Sequence, residues 1–326
     1  MATKDDVLKL LINSGDTALS GEEIAGKLGI SRTAVWKAIK SLRADGCSIA
    51  AVTNKGYTLY SRNDTLSAAD IVDMLTGDAK EYCVTVFDEI DSTNSYLKSK
   101  AASGAKSGTV AVAAKQTAGR GRYGRKFVSD NGGLYLSLLI RSDITTEQSL
   151  FITTAAAVAV SRAIESVCDC KTAIKWVNDI FINGKKVCGI LTEGASDFES
   201  GKLEYAVVGI GVNVTEPKGG FAPEIADIAT SVYGSKAPEN AKNRLAAAIL
   251  NELARVLASP HDKAIASEYR NRSFVIGKKV DILSGDDTIC ATVQDIDDSA
   301  AIILKTDDGQ IIRKNSGEIR IRVKNK

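Results

Sequence analysis

The sequence predicts an α+β multidomain chain: an N-terminal winged helix-turn-helix, a central mixed, largely antiparallel sheet with helices, and a C-terminal SH3-like small β-barrel. Three observations carry this. Ser20-Gly21-Glu22-Glu23 is a capping box whose helix is stopped by Gly29, and Ser31 caps the helix that follows. Asn183-Gly184, the strongest short-range hairpin dipeptide, stands between two apolar runs and makes neighbouring central strands antiparallel. Beyond Ser273 short alternating runs return, separated by Asp/Gly turns. At 326 residues the chain is long for one core, and the expected domains are 1–62, 63–272 and 273–326.

In the first domain, Val7, Leu8, Leu10, Leu11 and Ile12 give an apolar helix that ends near Asn13-Ser14-Gly15. Leu19 and Ile24 stand at staple positions around the capping box. In the next helix Val35, Ala38, Ile39 and Leu42 share one face, which is core. Ser31, Arg32, Thr33, Trp36, Lys37 and Lys40 are the candidate DNA contacts of a helix-turn-helix over residues 21–40. Residues 48–52 and 57–60 alternate around Asn54-Lys55-Gly56 and predict a wing. The excess of basic over acidic residues in 1–62 is modest, so the capped helix pair carries the DNA reading more than charge does. A small helical protein-interaction module is the alternative.

A polar linker follows, and Ser67 caps a short helix holding Ile71, Val72 and Leu75 on one side. A strand at 83–87 leads into Asp91-Ser92-Thr93-Asn94 before a helix at 95–102. Asp91 or Ser92 serves there as a simple N-cap, or the helix start binds the polar end of a ligand. Strands are expected at 109–115 and 134–140, then a long Ala/Val-rich helix at 147–166. A strand at 173–177 carries Lys175, with Asn178 and Asp179 at its end. The hairpin pairs 180–182 with 186–191, Glu193 closes it, and 203–214 adds a Gly-rich strand. No regular element is convincing between 215 and 234, and an amphipathic helix occupies 244–257. The last strands are 279–283, 291–296, 300–304, 311–313 and 318–323.

Between the second and third of these central strands lies Gly119-Arg120-Gly121-Arg122-Tyr123-Gly124-Arg125-Lys126-Phe127. Glycine admits positive φ and close approach, and arginine offers a fixed donor fork for carboxylates and phosphates. Such a run reads as a cationic flap over an anionic ligand. It also satisfies G-x-G-x-x-G, but that fingerprint needs a helix opening at it. Here Val128-Ser129-Asp130-Asn131-Gly132-Gly133 is a second loop, and Arg120 and Arg122 stand where a pyrophosphate needs bare backbone.

Composition excludes several chemistries. Hydrophobic residues are 44% and charged residues 25%, as in ordinary globular proteins, and net charge is +2. Neither a signal peptide nor an apolar run of about eighteen residues is found, so a cytoplasmic protein with no membrane partner is expected. The six cysteines form no C-x-x-C pair and read as reduced thiols. One histidine, His261, makes His-based catalysis a poor candidate. What remains is chemistry by charge neutralisation, and attack of a ligand carboxylate on the α-phosphate of ATP is such a reaction. Lys186 can bridge carboxylate and phosphate, Lys175 and Arg125 can hold phosphate oxygens, and Asp179 can support Mg2+. No P-loop motif is present.

The Gly/Arg run resembles the G-R-G-R-x-G-R-x-W signature of biotin protein ligases. Lys175-Trp176-Val177-Asn178-Asp179 is similar to their K-W-P-N-D, and Lys186-Val187-Cys188-Gly189-Ile190-Leu191-Thr192-Glu193 to K-x-x-G-I-L-x-E. Ser92-Thr93-Asn94, Gln116 and Gly209-x-Gly211-x-Asn213 match in order and spacing. With the helix-turn-helix, the whole chain resembles the bifunctional biotin ligases and biotin-operon repressors.

The resemblance implies a central domain like those of class II aminoacyl-tRNA synthetases. It implies ATP-dependent formation of biotinyl-5′-AMP and transfer of biotin to a lysine of a biotin carboxyl carrier protein. It implies biotin contacts at Ser92, Thr93, Asn94, Gln116, Arg120, Gly121, Arg122, Lys186 and Gly189. ATP or adenylate contacts carry over to Arg125, Lys175, Asn178 and Lys186, with Lys186 the catalytic lysine. A homodimer formed when adenylate is bound would present two helix-turn-helix units to operator DNA. Two positions depart from the family: Val177 replaces proline, loosening the backbone before Asn178, and Phe127 replaces tryptophan. A ligand-sensing DNA-binding regulator without ligase activity is the alternative function.

Overall fold

The computed structural model describes residues 4–15, 17–44, 47–52, 56–61, 65–141, 145, 149–196, 201–217, 219–284 and 287–321. The wing turn at Asn54-Lys55, the middle of the linker, the start of the helix expected from 147, the turn at Gly285-Asp286 and the strand end at 322–323 lie outside them.

At the N-terminus, α1 (Lys4–Asn13), α2 (Gly21–Leu28) and α3 (Arg32–Ala44) close on Val7, Leu11, Ile24, Val35, Ile39 and Leu42. The capping box is formed: the Glu23 N–H donates to Ser20 Oγ (3.1 Å) and the Ser20 N–H to Glu23 Oε2 (2.7 Å). Gly29 adopts φ 65°, the left-handed stop that ends α2. Ser31 Oγ accepts from the Ala34 N–H. Strands β1 (Ser48–Val52) and β2 (Gly56–Ser61) pair antiparallel, and Tyr57 also bridges Leu19. Gly56 has φ 110°, and a Cβ there would run into the Leu19 carbonyl, so the wing packs on the entry to α2 through bare backbone.

The middle of the chain builds a seven-stranded sheet from β3 (Cys83–Phe87), β4 (Thr109–Ala113), β5 (Gly133–Ile140), β6 (Ala173–Lys175), β7 (Asp179–Ile182), β8 (Lys185–Ser196) and β9 (Leu203–Asn213). The spatial order is β3-β4-β5-β9-β8-β7-β6, and β3/β4 is its one parallel pair. Asn183 (φ 49°) and Gly184 (φ 79°) turn β7 into β8, both with the positive φ that a tight primed hairpin requires. Short α4 (Ala68–Asp73) is capped by Ser67, and α5 (Thr93–Ala102) by Ser92. The long α6 (Ser149–Val167) and α7 (Ala241–Leu257) pack together beneath the sheet, and α8 (Lys263–Arg272) lies against α6. By length and composition α6 could cross a membrane, which the interleaved Thr and Ser hid from a search for apolar runs. Most of it is buried in the core instead.

The structure corrects some sequence boundaries. The strand carrying Lys175 ends there, and Trp176–Asn178 is a turn. Glu193 lies within β8, which continues to Ser196. Val72 points outward at 42% exposure while Ile71 and Leu75 are buried. The helix α8 was not foreseen, because only Ile265 and Tyr269 of its ten residues are buried.

Last come β10 (Lys279–Ser284), β11 (Asp287–Ile296), β12 (Ile302–Thr306), β13 (Ile311–Lys314) and β14 (Glu318–Ile321), an antiparallel sheet in the order β13-β12-β11-β10-β14. Its inner residues Val280, Ile282, Val293, Leu304 and Ile319 belong to one continuous core with the central sheet. The Trp176 indole donates to the Ala300 carbonyl (2.9 Å), so this sheet is fastened directly to the turn after Lys175.

Candidate functional site

A single cleft gathers the residues singled out above, and its floor is bare backbone. Gly189 of β8 stands opposite Gly211 of β9, and Leu191 opposite Gly209. The Phe127 ring lies on this floor: a Cβ on Gly211 would meet its Cε1 at 2.5 Å, and one on Gly189 its Cε2 at 3.0 Å. Its neighbour on the far side is Tyr135, edge-on at 6.4 Å between centroids. A glycine in a strand interior weakens the strand and marks close approach of another group. Phenylalanine at 127 thus fills the position expected of tryptophan and still reaches the floor.

One end of the cleft is built from polar side chains. Ser92 caps α5, its Oγ accepting from the Ser95 N–H, and this places Thr93 and Asn94 in the buried first turn. Thr93 donates through both N–H (2.8 Å) and Oγ1 (3.1 Å) to Gln116 Oε1. Asn94 Nδ2 donates to Glu193 Oε2 (2.8 Å) and, at 3.3 Å, to the Leu191 carbonyl. Lys98 Nζ holds the other Glu193 oxygen at 2.6 Å. Burial would raise the Glu193 carboxyl, but hydrogen bonds from Lys98 and Asn94, with the Lys98 and Arg120 charges, hold it below its ordinary value. The N-cap and ligand-site readings of Ser92 are therefore compatible: capping places the neighbouring side chains in the cleft.

The flap lines the cleft as well. The Phe127 N–H donates to the Gly119 carbonyl (3.0 Å) and the Gly121 N–H to that of Arg125 (2.7 Å), closing a small loop. Tyr123 sits at φ 56°, ψ 35°, left-handed and 62% exposed, with the Arg122 guanidinium 5.0 Å from its ring centroid. Arg122 also reaches Asn178 Oδ1 at 3.4 Å, and Arg120 donates to Ser95 Oγ at 2.5 Å.

The other end is cationic. Lys186 Nζ is 2.6 Å from Asp179 Oδ1, and Lys175 and Arg125 line the same cleft. Asn178 is held by its Nδ2 donating to the Ile190 carbonyl at 2.6 Å. The Trp176–Val177 peptide is cis. Val177, which stands where the family has proline, is buried, and its carbonyl accepts from the Tyr269 hydroxyl at 3.0 Å. Asp179 is the lone carboxylate lining the cleft, and among the described residues no group of three or more His, Cys, Asp or Glu could hold a metal.

Ser92, Thr93, Asn94, Gln116, Arg120, Gly121, Arg122, Arg125, Lys175, Asn178, Asp179, Lys186 and Gly189 thus all line one cleft. Ile319 from β14 also lines it and was not foreseen. Two hydroxyls were missed as well. Ser137, fully buried on β5, lies 2.7 Å from Thr93 Oγ1 and 2.6 Å from Asn94 Oδ1. Ser129 Oγ accepts from Gln116 Nε2 at 3.2 Å. A serine within an apolar run whose residues are all buried forms no motif, so no local signal flagged Ser137. Far from the cleft, Ser31, Arg32, Thr33, Trp36, Lys37 and Lys40 share the exposed side of α3 and its entry, with Lys40 5.3 Å from the Trp36 ring.

Family models match three stretches: Biotin/lipoate A/B protein ligase family at residues 86–213, an HTH domain at 3–58, and Biotin protein ligase C terminal domain at 275–322. The bifunctional ligase/repressor BirA of Bacillus spizizenii is 41% identical over 230 residues, 70% of each chain. That of Escherichia coli is 30% identical over 307 residues, 93% of this chain and 92% of its own. Among solved structures, the biotin protein ligase from Aquifex aeolicus in complex with biotin and ATP superposes with a TM-score of 0.60 at 28% identity, covering 73% of this chain and 98% of its own. The chain belongs to the biotin protein ligase family, in the bifunctional ligase/repressor form that joins a helix-turn-helix domain to the ligase.

Proposed function

We propose that the protein activates biotin with ATP to biotinyl-5′-AMP and transfers the biotinyl group to one lysine of a biotin carboxyl carrier protein. In the same reading it is the biotin-responsive repressor of a biotin operon and works in the cytoplasm. Residues 1–62 would bind operator DNA, 63–272 would carry the ligase, and 273–326 would close its nucleotide side. The observation that supports this most is the single cleft whose polar end and cationic end meet above a glycine floor.

Biotin's ureido head would sit among Ser92, Thr93, Asn94 and Gln116 and its carboxylate near Lys186, with its ring beside Gly189 once the Phe127 ring gives way there. Arg120, Gly121 and Arg122 would cover it. ATP would lie toward Arg125, Lys175 and Asn178. A biotin carboxylate oxygen then attacks the α-phosphorus, and the bond to pyrophosphate breaks with its electron pair leaving on pyrophosphate. Two anions must approach for this, and Lys186 between them lowers that cost. In the second step the acceptor lysine's amine attacks the acyl carbon, AMP departs and the amine loses a proton. Mg2+ would arrive with ATP, most of its ligands being phosphate and water oxygens, and Asp179 could supply the one protein carboxylate. Bound there, the ion would neutralise phosphate charge.

Biotinyl-AMP is a reactive mixed anhydride, and the flap would keep water from it. Its presence would favour a homodimer whose paired α3 helices reach two operator half-sites. Biotin-dependent release of pyrophosphate from ATP tests the first step. Its absence would leave a ligand-sensing regulator without catalysis.

A further inference from the structure

A partly buried line of hydrogen bonds runs from α5 to the backbone of the flap. It begins at Lys98 and Glu193, passes Asn94, Ser137, Thr93 and Gln116, and ends where the Ser129 hydroxyl donates to the Phe127 carbonyl at 2.9 Å. The Ser129 side chain is buried, and a Cβ on Gly119 would collide with its Oγ, so it is wedged under the flap. The Gln116 N–H donates to the Ser129 carbonyl at 3.0 Å, so the two residues grip each other twice.

The middle of the line can be wired in two ways. Asn94 directs its amide nitrogen to Glu193 and Leu191, so its oxygen faces Ser137. Asn94 Oδ1, an acceptor only, takes the Ser137 hydroxyl proton at 2.6 Å, while Thr93 has one proton, for Ser137 or for Gln116. A ligand that engages Thr93 or Gln116 selects one arrangement, and Gln116 is the group that also grips Ser129. At the far end, Phe127 carries the ring that lies on Gly189 and Gly211 with Lys186 Nζ 5.9 Å from its centroid.

We propose that Ser129 is a positioning residue: it holds the flap's aromatic over Lys186 and makes that hold respond to what Thr93 and Gln116 bind. The inference rests on the adenylate-forming reading above. Ser129 touches no reacting atom, so its loss should loosen the cover over the acyl-adenylate rather than stop its formation.

The experiment gives full-length enzyme biotin and ATP without acceptor protein and follows pyrophosphate. Wild type should show a first-turnover burst and then a slow leak as water adds to the acyl carbon and AMP leaves. In Ser129→Ala the leak should rise about tenfold, with burst amplitude and KM for ATP within about twofold of wild type. Ser129→Cys, which keeps similar volume and a weak donor, should fall between the two. An unchanged leak overturns the proposal, as does a joint fall of burst, leak and melting temperature, which would make Ser129 a fold residue only. A wild type with no burst removes the adenylation reading itself, and the inference with it.

Discussion

Lys186 Nζ and Asp179 Oδ1 stand 2.6 Å apart across the Asn183-Gly184 hairpin, with both side chains partly exposed to the cleft. The turn fixes the strand register, and the register brings the cation to the carboxylate. Asp179→Asn keeps the shape and removes the charge that anchors Lys186. Biotin-dependent pyrophosphate release should fall about tenfold or more in kcat, with melting temperature little changed, because a charge-assisted hydrogen bond is lost at a solvent-accessible pair. Steady-state kinetics with a thermal melt would check both halves.

A second expectation concerns the glycine floor. In Gly211→Ala the new Cβ would press on the Phe127 ring. Overpacking of this kind costs about 1–3 kcal/mol, and KM for biotin should rise with it. Combining it with Phe127→Ala should recover much of the loss of stability, since the two changes share one contact. Denaturant unfolding of the two single variants and the double variant measures that coupling.

These cases show what was legible in the sequence. The capping box, the primed hairpin and the small antiparallel sheet are local devices, written in a few adjacent residues, and the structure has all three. That Asp179 and Lys186 meet follows from the same hairpin. Less was readable where meaning depends on distant packing. Ser137 and Thr93 are 44 residues apart in sequence, and nothing local says they touch. Ile319 reaches the cleft only because the last sheet shares a core with the central one, a relation between surfaces. The helix α8 was missed because a short helix held by ion pairs has little apolar periodicity.

Those ion pairs give a pH expectation. Arg272 donates to Glu165 (2.8 Å) and Glu268 (2.8 Å), and Arg162 also binds Glu268, tying α6 to α8. Burial pushes both carboxyls up, but hydrogen bonds from the arginines outweigh it and hold them below their ordinary value. A depressed carboxyl stabilises the fold fully above its unfolded pKa and loses that contribution as pH falls through the folded one. Melting temperature should therefore drop on acidification below about pH 4.5. Arg272→Leu should cost about 1–3 kcal/mol at neutral pH by taking the arginine from the partly buried Glu165 carboxylate, while Arg162 still holds Glu268, and should flatten that acid limb. Melts recorded across the acid range would show it.

On the DNA side, Lys37 is exposed on α3 beside Trp36. If α3 enters the major groove and Lys37 meets a phosphate, Lys37→Ala should weaken operator binding at all sequences and lower the salt slope by about one. Ligase activity should not change. Binding titrations at several salt concentrations, with a parallel pyrophosphate assay, separate the two functions.

The central claim is that this cleft joins biotin to ATP through Lys186. Labelled biotin, ATP and a biotin carboxyl carrier domain, incubated with the full-length protein and scored for covalent label on the carrier, test it most directly. The account predicts ATP-dependent labelling by wild type and its loss in Lys186→Ala. A wild type that never labels the carrier, or a Lys186→Ala variant that labels it as well as wild type, would contradict it.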